Sequence, residues 1–229
     1  MIHDGIEYEN GSDGWIAVKN ISNFGSRLCI PPEINKRIVV AIADHVFADN
    51  ENLEEVIIPT SITEIGNYAF AGCTNLRSVK EVLGIFGLNQ LGLRLNKGAF
   101  QGCKELKEVL LSSELLLCGE RIFQRCHKLE TIGVTGENKL YGSVPNQCFQ
   151  ACLALEHLTI RKAIKCVISN NAFNWCSNLK TLTLISDVVV CEDDDTWNSL
   201  KRTKIRCLPT CNLTELGYEG VEIEVIEDT

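Results

Sequence analysis

Twelve cysteines are the residues of this chain with the most chemical options, because thiols form disulfides, ligate zinc and act as nucleophiles. Five of them stand at one repeated position, three residues after a phenylalanine: Cys73, Cys103, Cys126, Cys152 and Cys176. Cys118 and Cys148 stand where other copies of the repeat carry Ile, Leu or Ala. Side chains stacked at one repeat position run parallel, which is the wrong orientation for a disulfide. We therefore expect all these cysteines to be reduced, small apolar core residues.

Cys207 and Cys211 form a Cys-x3-Cys pair near the C-terminus that could form a disulfide or bind a metal ion. Zinc sites are built from CxxC pairs or from cysteines with clustered histidines, and the sequence around this pair has neither. A simple contact within the C-terminal cap is the preferred interpretation. The sequence therefore predicts no metal and no cofactor.

An acidic run, residues 192–195, precedes a basic cluster at residues 201–206. Acids at the start of a helix and bases at its end match the helix macrodipole, so this pattern predicts a short helix. The weaker alternative is a calcium site at Asp193, Asp194 and Asp195, since consecutive carboxylates rarely converge on one ion.

Catalytic motifs are missing from the sequence. There is no GxSxG, GxxxxGK[ST] or HExxH segment, and the four histidines fall at different repeat positions: His3, His45, His127 and His157. We expect a protein that is not an enzyme. The remote alternative is an enzyme whose polar residues are brought together on the concave face by stacking of the repeats.

A phrase of the form Phe-x2-Cys-x2-Leu is repeated six times, with Asn50 in the cysteine position of the first copy. Its phenylalanines are Phe47, Phe70, Phe100, Phe123, Phe149 and Phe173. They are separated by 23, 30, 23, 26 and 24 residues. A period in this range is typical of a solenoid, in which stacked units share one core.

The residue pattern within each unit also predicts its secondary structure. Apolar residues alternate after the Leu, as in Leu106, Val109 and Leu111, which is typical of a strand with one buried face. An apolar anchor on the return segment lies five residues before each Phe: Ile42, Ile65, Leu95, Cys118, Val144 and Ile168. A unit is therefore a strand, a turn, a return segment and a helical turn, and it must stack on its neighbours to bury its apolar side.

The segment from Ile65 to Val79 resembles the leucine-rich repeats of the BspA type, and the resemblance covers residues 30–184. This family includes surface antigens and adhesins of mucosal bacteria and is also expanded in anaerobic protists. The resemblance implies an α/β, mostly β fold: a right-handed leucine-rich-repeat solenoid with a parallel concave sheet and short helical turns. It also implies ligand binding rather than catalysis. Residues 1–29 and 185–229 are then caps of one continuous domain.

Charge and hydropathy limit the classes of partner and the cellular locations that the sequence allows. The net charge of −8 and the pI near 5.1 argue against nucleic acid or an anionic membrane, both of which require a basic stripe. No apolar stretch is long enough to span a membrane, and residues 1–9 lack the pattern of an export signal. We expect a cytoplasmic protein; the alternative is a surface or secreted protein whose signal was removed.

The outward residues of the strands are the first candidate binding surface. By alternation they are Glu55, Ile57, Ser78, Lys80, Glu108, Leu110, Thr131, Gly133, His157, Thr159, Thr181 and Thr183. Ile57 and Leu110 are apolar where solvated residues are expected, so a row of them beside acids and a Lys favours contact with a protein. The alternative is a merely solvated face, with the partner bound at a terminus or an insertion.

An apolar insertion, residues 82–93, is the second candidate surface. The step from Phe70 to Phe100 has seven residues more than the 23-residue step, and Gly84, Gly87 and Gly92 would break a helix there. The insertion either folds over the solenoid as a flap or presents Ile85, Phe86 and Leu88 to another protein, such as a second copy of the chain. The function predicted from the sequence is a non-catalytic protein-binding scaffold, and the alternative is an exported adhesin or host-binding antigen.

Overall fold

The computed structural model describes residues 2–3, 6–10, 16–21, 25–82, 92–111, 114–134, 139–161, 165–192, 194–211 and 222–227. The strands of its first half are β1 Ile2–His3, β2 Ile6–Asn10, β3 Ile16–Ile21, β4 Arg27–Cys29, β5 Glu33–Ile34, β6 Arg37–Ile42, β7 Glu55–Pro59, β8 Glu64–Ile65, β9 Ser78–Val82 and β10 Leu93–Leu95. The second half contains β11 Glu108–Leu111, β12 Leu115–Leu117, β13 Thr131–Val134, β14 Lys139–Tyr141, β15 His157–Arg161, β16 Lys165–Ile168, β17 Thr181–Ile185, β18 Val188–Cys191, helix α1 Asp194–Ser199, β19 Lys204–Cys207 and β20 Ile223–Val225.

The strands are arranged as a parallel β-solenoid. Five strands form one parallel sheet, in the order β13-β11-β9-β7-β4. Strands β7, β9, β11 and β13 each follow the Leu of a repeat phrase, and β4 precedes the first phrase. Equivalent residues of successive units pair with each other in it, as Val56 with Val79 and Val79 with Val109. The return strands β6, β8, β10, β12 and β14 form a second parallel ladder, which β3 joins parallel to β6 and which β2 and β1 extend with antiparallel pairing. The predicted solenoid architecture is confirmed.

The two ladders meet at a seam between β13 and β15. Strand β15 follows a repeat Leu, as β7, β9, β11 and β13 do, yet it pairs with the return strand β14 through Lys139 opposite Thr159 and Leu140 opposite Ile160. Strand β13 is therefore the last of the five-stranded sheet, and β15, β17, β19 and β20 continue the sheet of return strands. The predicted row of outward residues therefore lies on two hydrogen-bonded sheets, with the change at this seam.

A stack of phenylalanine rings lies along the axis of the solenoid. The rings of Phe70 and Phe100 are parallel with centroids 5.3 Å apart, and the rings of Phe100 and Phe123 are 5.6 Å apart. The five rings from Phe70 to Phe173 are completely buried, together with the repeat leucines and the inward strand residues. The repeat phrase thus specifies one continuous apolar core.

The ladder cysteines are buried beside these rings, as the repeat position predicts. Each thiol donates a hydrogen bond to the carbonyl oxygen of the Phe one unit before it, at Sγ to O distances between 2.9 and 3.2 Å. Burial raises the pKa of the Cys73 and Cys176 thiols from 9.0 to about 12. These thiols are protonated, apolar and poorly reactive at neutral pH.

The segment around each Phe is a series of tight turns, so the predicted short helical turns are wrong. The Phe70 N–H donates to the Ala99 oxygen of the next unit at 2.9 Å, and the Gly72 N–H donates to the Gln101 oxygen at 2.8 Å. Backbone donors that a helix would use internally are thus used between units. A left-handed residue on each side of the Phe, such as Tyr68 at φ 54° and Gly72 at φ 73°, also prevents a helix from propagating.

Cys118 departs from the prediction that it is a core anchor, because its side chain is exposed. Leu95 pairs with Leu117 rather than with Cys118, so the register of this unit is moved by one residue. The Cys118 N–H donates to the Leu95 oxygen, just as the Asn96 N–H donates to Ile65 one unit earlier. Cys118 therefore occupies the outward position of Asn96.

The basic cluster of the C-terminal cap is not at the end of a helix, contrary to the macrodipole interpretation. Helix α1 ends at Ser199, and Lys204–Cys207 is the strand β19, parallel to β17. The reason is alternation: Ile205 and Cys207 are buried, and the residues between them face outward. Of the alternative calcium site, Asp193 lies outside the described residues.

The Cys207 and Cys211 thiols are in hydrogen-bond contact, and desolvation by burial is the main cause that raises the pKa of each. This geometry agrees with the contact predicted for the cap. Beyond it, β20 is the last strand, and its inward residues Ile223 and Val225 are 39% and 62% exposed. None of the described helices is long and apolar enough to cross a membrane.

Candidate binding surfaces

The predicted surface residues of the first sheet lie on one face, here called the Glu55 face. It consists of the outward residues of β4, β7, β9, β11 and β13: Arg27, Cys29, Glu55, Ile57, Ser78, Lys80, Glu108, Leu110, Thr131 and Gly133. The intervening residues Val56, Val79 and Val109 are buried in the core, so these residues lie on the opposite side of the strands, although Ser78, at 9% exposed, and Gly133 are buried there. One row contains Glu55, Ser78 and Glu108 in register, and the adjacent row contains Ile57, Lys80 and Leu110.

The charges of the Glu55 face compensate one another along the sheet. Arg27 Nε lies 2.8 Å from Glu55 Oε2, while Lys80 Nζ lies 3.8 Å from Glu55 Oε1 and 2.9 Å from Glu108 Oε1. The hydrogen bond to Glu108 is the main cause that raises the pKa of the Lys80 ammonium. Lys80 thus bridges the two carboxylates on either side of Ser78. Ion pairs therefore connect four side chains in sequence along the sheet: Arg27, Glu55, Lys80 and Glu108.

Ile57 and Leu110 flank Lys80 on either side in the second row of the face. Both are only half-buried, so their apolar side chains are available on the surface. The face therefore combines two aliphatic side chains with a fixed line of alternating charge. Such a surface can contact another protein.

The remaining predicted strand residues lie on the other sheet, and their surface is here called the Thr181 face. It consists of the outward residues of β15, β17 and β19: His157, Thr159, Thr181, Thr183, Lys204 and Arg206. They line an open cavity of about 400 Å³, together with Glu224 of β20. Lys204 Nζ lies 3.0 Å from Glu222 and 3.2 Å from Glu224, so the acidic terminal strand neutralises the basic end of the face.

Lys204 and Arg206 are residues of this face that the sequence interpretation missed. They were assigned to a helix end on the basis of charge alone. The signal that could have found them is the alternation in Lys204–Cys207, in which every second residue is apolar. The residues of the insertion, Ile85, Phe86 and Leu88, lie outside the described residues.

His157 borders a second open cavity, of about 410 Å³, with Glu130, Ala154, Glu156 and Asn178. Lys180 donates to Glu156 at 2.7 Å, and this hydrogen bond is the main cause that lowers the pKa of the Glu156 carboxyl. His157 Nε2 lies 3.9 Å from the same carboxylate. Among the described residues that line this cavity there is no Ser, Thr or Cys.

Comparisons with known proteins agree with this architecture. The family model described as the BspA type leucine rich repeat region matches in six copies, over residues 40–85, 88–199 and 142–219. The crystal structure of a T. pallidum leucine-rich repeat protein is similar, with 22% identity and a TM-score of 0.64 over 83% of this chain and 85% of that chain. This likeness supports the fold alone.

Two further solved structures have lower structural similarity. A leucine-rich cell surface protein from Faecalibacterium prausnitzii is 18% identical, with a TM-score of 0.46 over 83% of this chain and 72% of that chain. A leucine-rich repeat protein from Bacteroides ovatus is 14% identical, with a TM-score of 0.47 over 99% of this chain and 100% of that chain. A comparison with curated protein sequences found no match.

Proposed function

Because this chain belongs to the BspA-type leucine-rich repeat family, we propose that it is a non-catalytic scaffold that binds a protein partner through the Glu55 face. The observation that carries the proposal is the arrangement of Ile57, Lys80 and Leu110 in one row, with Glu55 and Glu108 holding the ammonium group. Aliphatic side chains beside a polar rim are typical of surfaces that bind other proteins.

The sheet beneath this row reduces the cost of binding. Parallel pairing fixes the backbone of β7, β9 and β11, and Val56, Val79 and Val109 anchor the strands in the core. Little conformational freedom is therefore lost when a partner covers the face. The charge line favours one register, because a carboxylate near Arg27 or Lys80 and a cation near Glu108 on the partner would extend its alternation.

A double substitution on the face tests this proposal. Ile57→Asp with Leu110→Asp places two carboxylates where the partner would pack, and Leu153→Asp is the matched control because Leu153 is 38% exposed at a turn away from the face. We expect the double variant to bind a partner, identified by capture on the wild-type chain and then purified, at least about tenfold more weakly, with the control unchanged. Equal affinities for all three proteins would contradict the proposal and favour a merely solvated face.

The cellular location is proposed separately from the binding surface. We propose a reducing compartment, the cytoplasm, supported by twelve free cysteines and by ladder thiols that each donate to a Phe carbonyl oxygen. The alternative is an exported adhesin or host-binding antigen at the cell surface. Thiol counting on the denatured, unreduced natural protein distinguishes them: about twelve free thiols support the first, and four or more thiols lost to native bridges support the second.

A further inference from the structure

Trp175 combines exposure with backbone strain. Its side chain is 67% exposed, and its φ is 63°, in the left-handed region that side-chain-bearing residues rarely adopt. It lies two residues after Phe173, and the equivalent positions in two other units are Gly72 at φ 73° and Gly102 at φ 77°. Asp49, Arg125 and Ala151 hold the same left-handed position in three further units, so the conformation belongs to the repeat, and the exposed indole ring is what distinguishes Trp175.

The Trp175 ring borders a large groove of about 680 Å³ at the C-terminal end of the solenoid. The turn of the last repeat, with Asn174 and Ser177, forms one side of the groove. Asp195 and Asn198 of α1, and Lys201 and Arg202 after it, form the other side. The groove is well within the size range of small-ligand sites.

The exposed lining of the groove is polar apart from Trp175. The other apolar residues in the lining, Cys176 and Leu179, are only 8% and 4% exposed and belong to the core. Within the described part of the chain, the side chains of Lys201 and Arg202 have no ion pair, whereas Lys80 and Lys204 are each shared by two carboxylates. The described lining of the groove therefore presents one aromatic ring, several hydrogen-bonding groups, the cations of Lys201 and Arg202, and the single carboxylate of Asp195.

We propose that this groove binds an acidic saccharide, one that carries carboxylate or sulfate groups. A pyranose ring has a face of C–H groups that packs on an indole ring, and the remainder of its surface is hydroxyl. Asp195 and Asn198 can accept or donate hydrogen bonds to these hydroxyls, while Lys201 and Arg202 bind the anionic substituent. An apolar peptide side chain would instead require apolar walls around Trp175, and those are absent from the described lining.

Saccharide binding is independent of the protein contact proposed for the Glu55 face, since the two surfaces share no residue. Failure of one proposal leaves the other unaffected. The Ile57→Asp, Leu110→Asp double variant should bind the saccharide as the wild type does.

Calorimetric titration of the full chain with three tetrasaccharides tests the proposal: a heparin-derived one, a hyaluronan-derived one and neutral maltotetraose. We expect saturable binding of at least one acidic tetrasaccharide, at least tenfold stronger than that of maltotetraose. Trp175→Gly should lose at least tenfold in affinity while melting no lower than the wild type, because glycine suits the left-handed backbone. Arg125→Gly, the same change at the same turn position of another unit with φ 62°, should leave binding unchanged.

A second variant keeps the test decisive if Trp175→Gly folds poorly. Lys201→Gln with Arg202→Gln retains the ring and keeps both side chains polar but removes their charges, and it should reduce binding of the acidic tetrasaccharides to the level of maltotetraose. No saturable binding by the wild type overturns the proposal. So do equal affinities for acidic and neutral tetrasaccharides, and so does binding that survives both Trp175→Gly and the double glutamine change.

Discussion

The thiol of Cys126 donates a hydrogen bond to the backbone oxygen of Phe100, with the Sγ and O atoms 3.1 Å apart. The same contact joins Cys103 to Phe70 at 3.1 Å and Cys152 to Phe123 at 3.2 Å. The cysteine of the repeat is thus both a small apolar residue and the donor that ties one unit to the unit before it. A residue that fills the same space but cannot donate a hydrogen bond is expected to preserve the packing and to lose the bond between units.

Substitutions of Cys126 test the donor role. Cys126→Ala removes the buried sulfur and should cost about 1–2 kcal/mol. Cys126→Ser should cost no more than Cys126→Ala, because its hydroxyl can still donate to the Phe100 oxygen. Urea denaturation of both variants measures the difference, with Cys29→Ala as an exposed control. A serine variant clearly less stable than the alanine variant would show that the hydrogen bond does not form.

Phe100 should be one of the most sensitive positions in the chain. Its ring is completely buried between those of Phe70 and Phe123, at 5.3 and 5.6 Å. Phe100→Ala leaves a cavity in the middle of the stack and should cost about 3–5 kcal/mol. Thr74→Ala, on a half-buried turn position, should cost little. Chemical denaturation of the two variants checks the prediction, and equal effects would mean that the repeat register is wrong.

The left-handed position after each Phe predicts two substitutions of opposite sign. Gly102→Ala should lose about 1–2 kcal/mol from the backbone alone, since the added Cβ would meet nothing closer than Gly72 N at 3.8 Å. Arg125→Gly, at φ 62°, should gain up to about 1 kcal/mol as the strain is relieved. Arg125→Ala is the control, because it removes the charge and retains the strained Cβ. Thermal melts in which Arg125→Gly and Arg125→Ala behave alike would contradict this explanation.

Stability should fall steeply at alkaline pH. Burial raises the pKa of the Cys73 and Cys176 thiols from 9.0 to about 12, so the unfolded chain loses these protons first. Their contribution is fully present below about pH 9 and is lost as the pH rises from 9 toward 12. Urea midpoints at pH 7, 9, 10 and 11 measure the loss. Cys73→Ser should reduce the slope above pH 9.5 by about one proton, and an unchanged slope would exclude Cys73 as its source.

The insertion at residues 82–93 remains a prediction from the sequence, and one variant separates its two interpretations. The triple change Ile85→Ser, Phe86→Ser, Leu88→Ser should lower the melting temperature without altering association if the segment is a flap. If it is a contact surface, stability is retained and self-association or partner binding weakens. Light scattering and a thermal melt on one sample give both readouts. No change in either would reject both interpretations.

Most of the core could be predicted from the sequence because it depends on one strict repeat. Phe70, Cys73 and Leu76 recur at fixed spacing, and stacking units with equal spacing must place equivalent residues together. Cys118 could not be placed in this way. Its unit has a register moved by one residue, and that shift depends on which residues of Leu115–Leu117 pair with Leu93–Leu95.

The candidate surface was predicted only in part, for a related reason. The Glu55 face follows from alternation within single strands, which the sequence displays. The seam depends on β15 pairing with β14 rather than with β13, and alternation within a strand does not specify its partner. The left-handed backbone at Trp175 could not be predicted either, because Gly72 and Gly102 indicate it only once the backbone conformation at their positions is known.

The bonds from each Phe turn to the next unit, such as the Phe70 N–H to the Ala99 oxygen, also bear on how the molecule responds to force. These bonds and the ladder pairs run along the solenoid axis, so tension between the two ends would load them one unit after another rather than all at once. A chain built in this way should yield by peeling, one coil at a time, and recoil in the reverse order when released. Pulled in single-molecule tweezers, it would behave as an extensible spring rather than as a rigid strut.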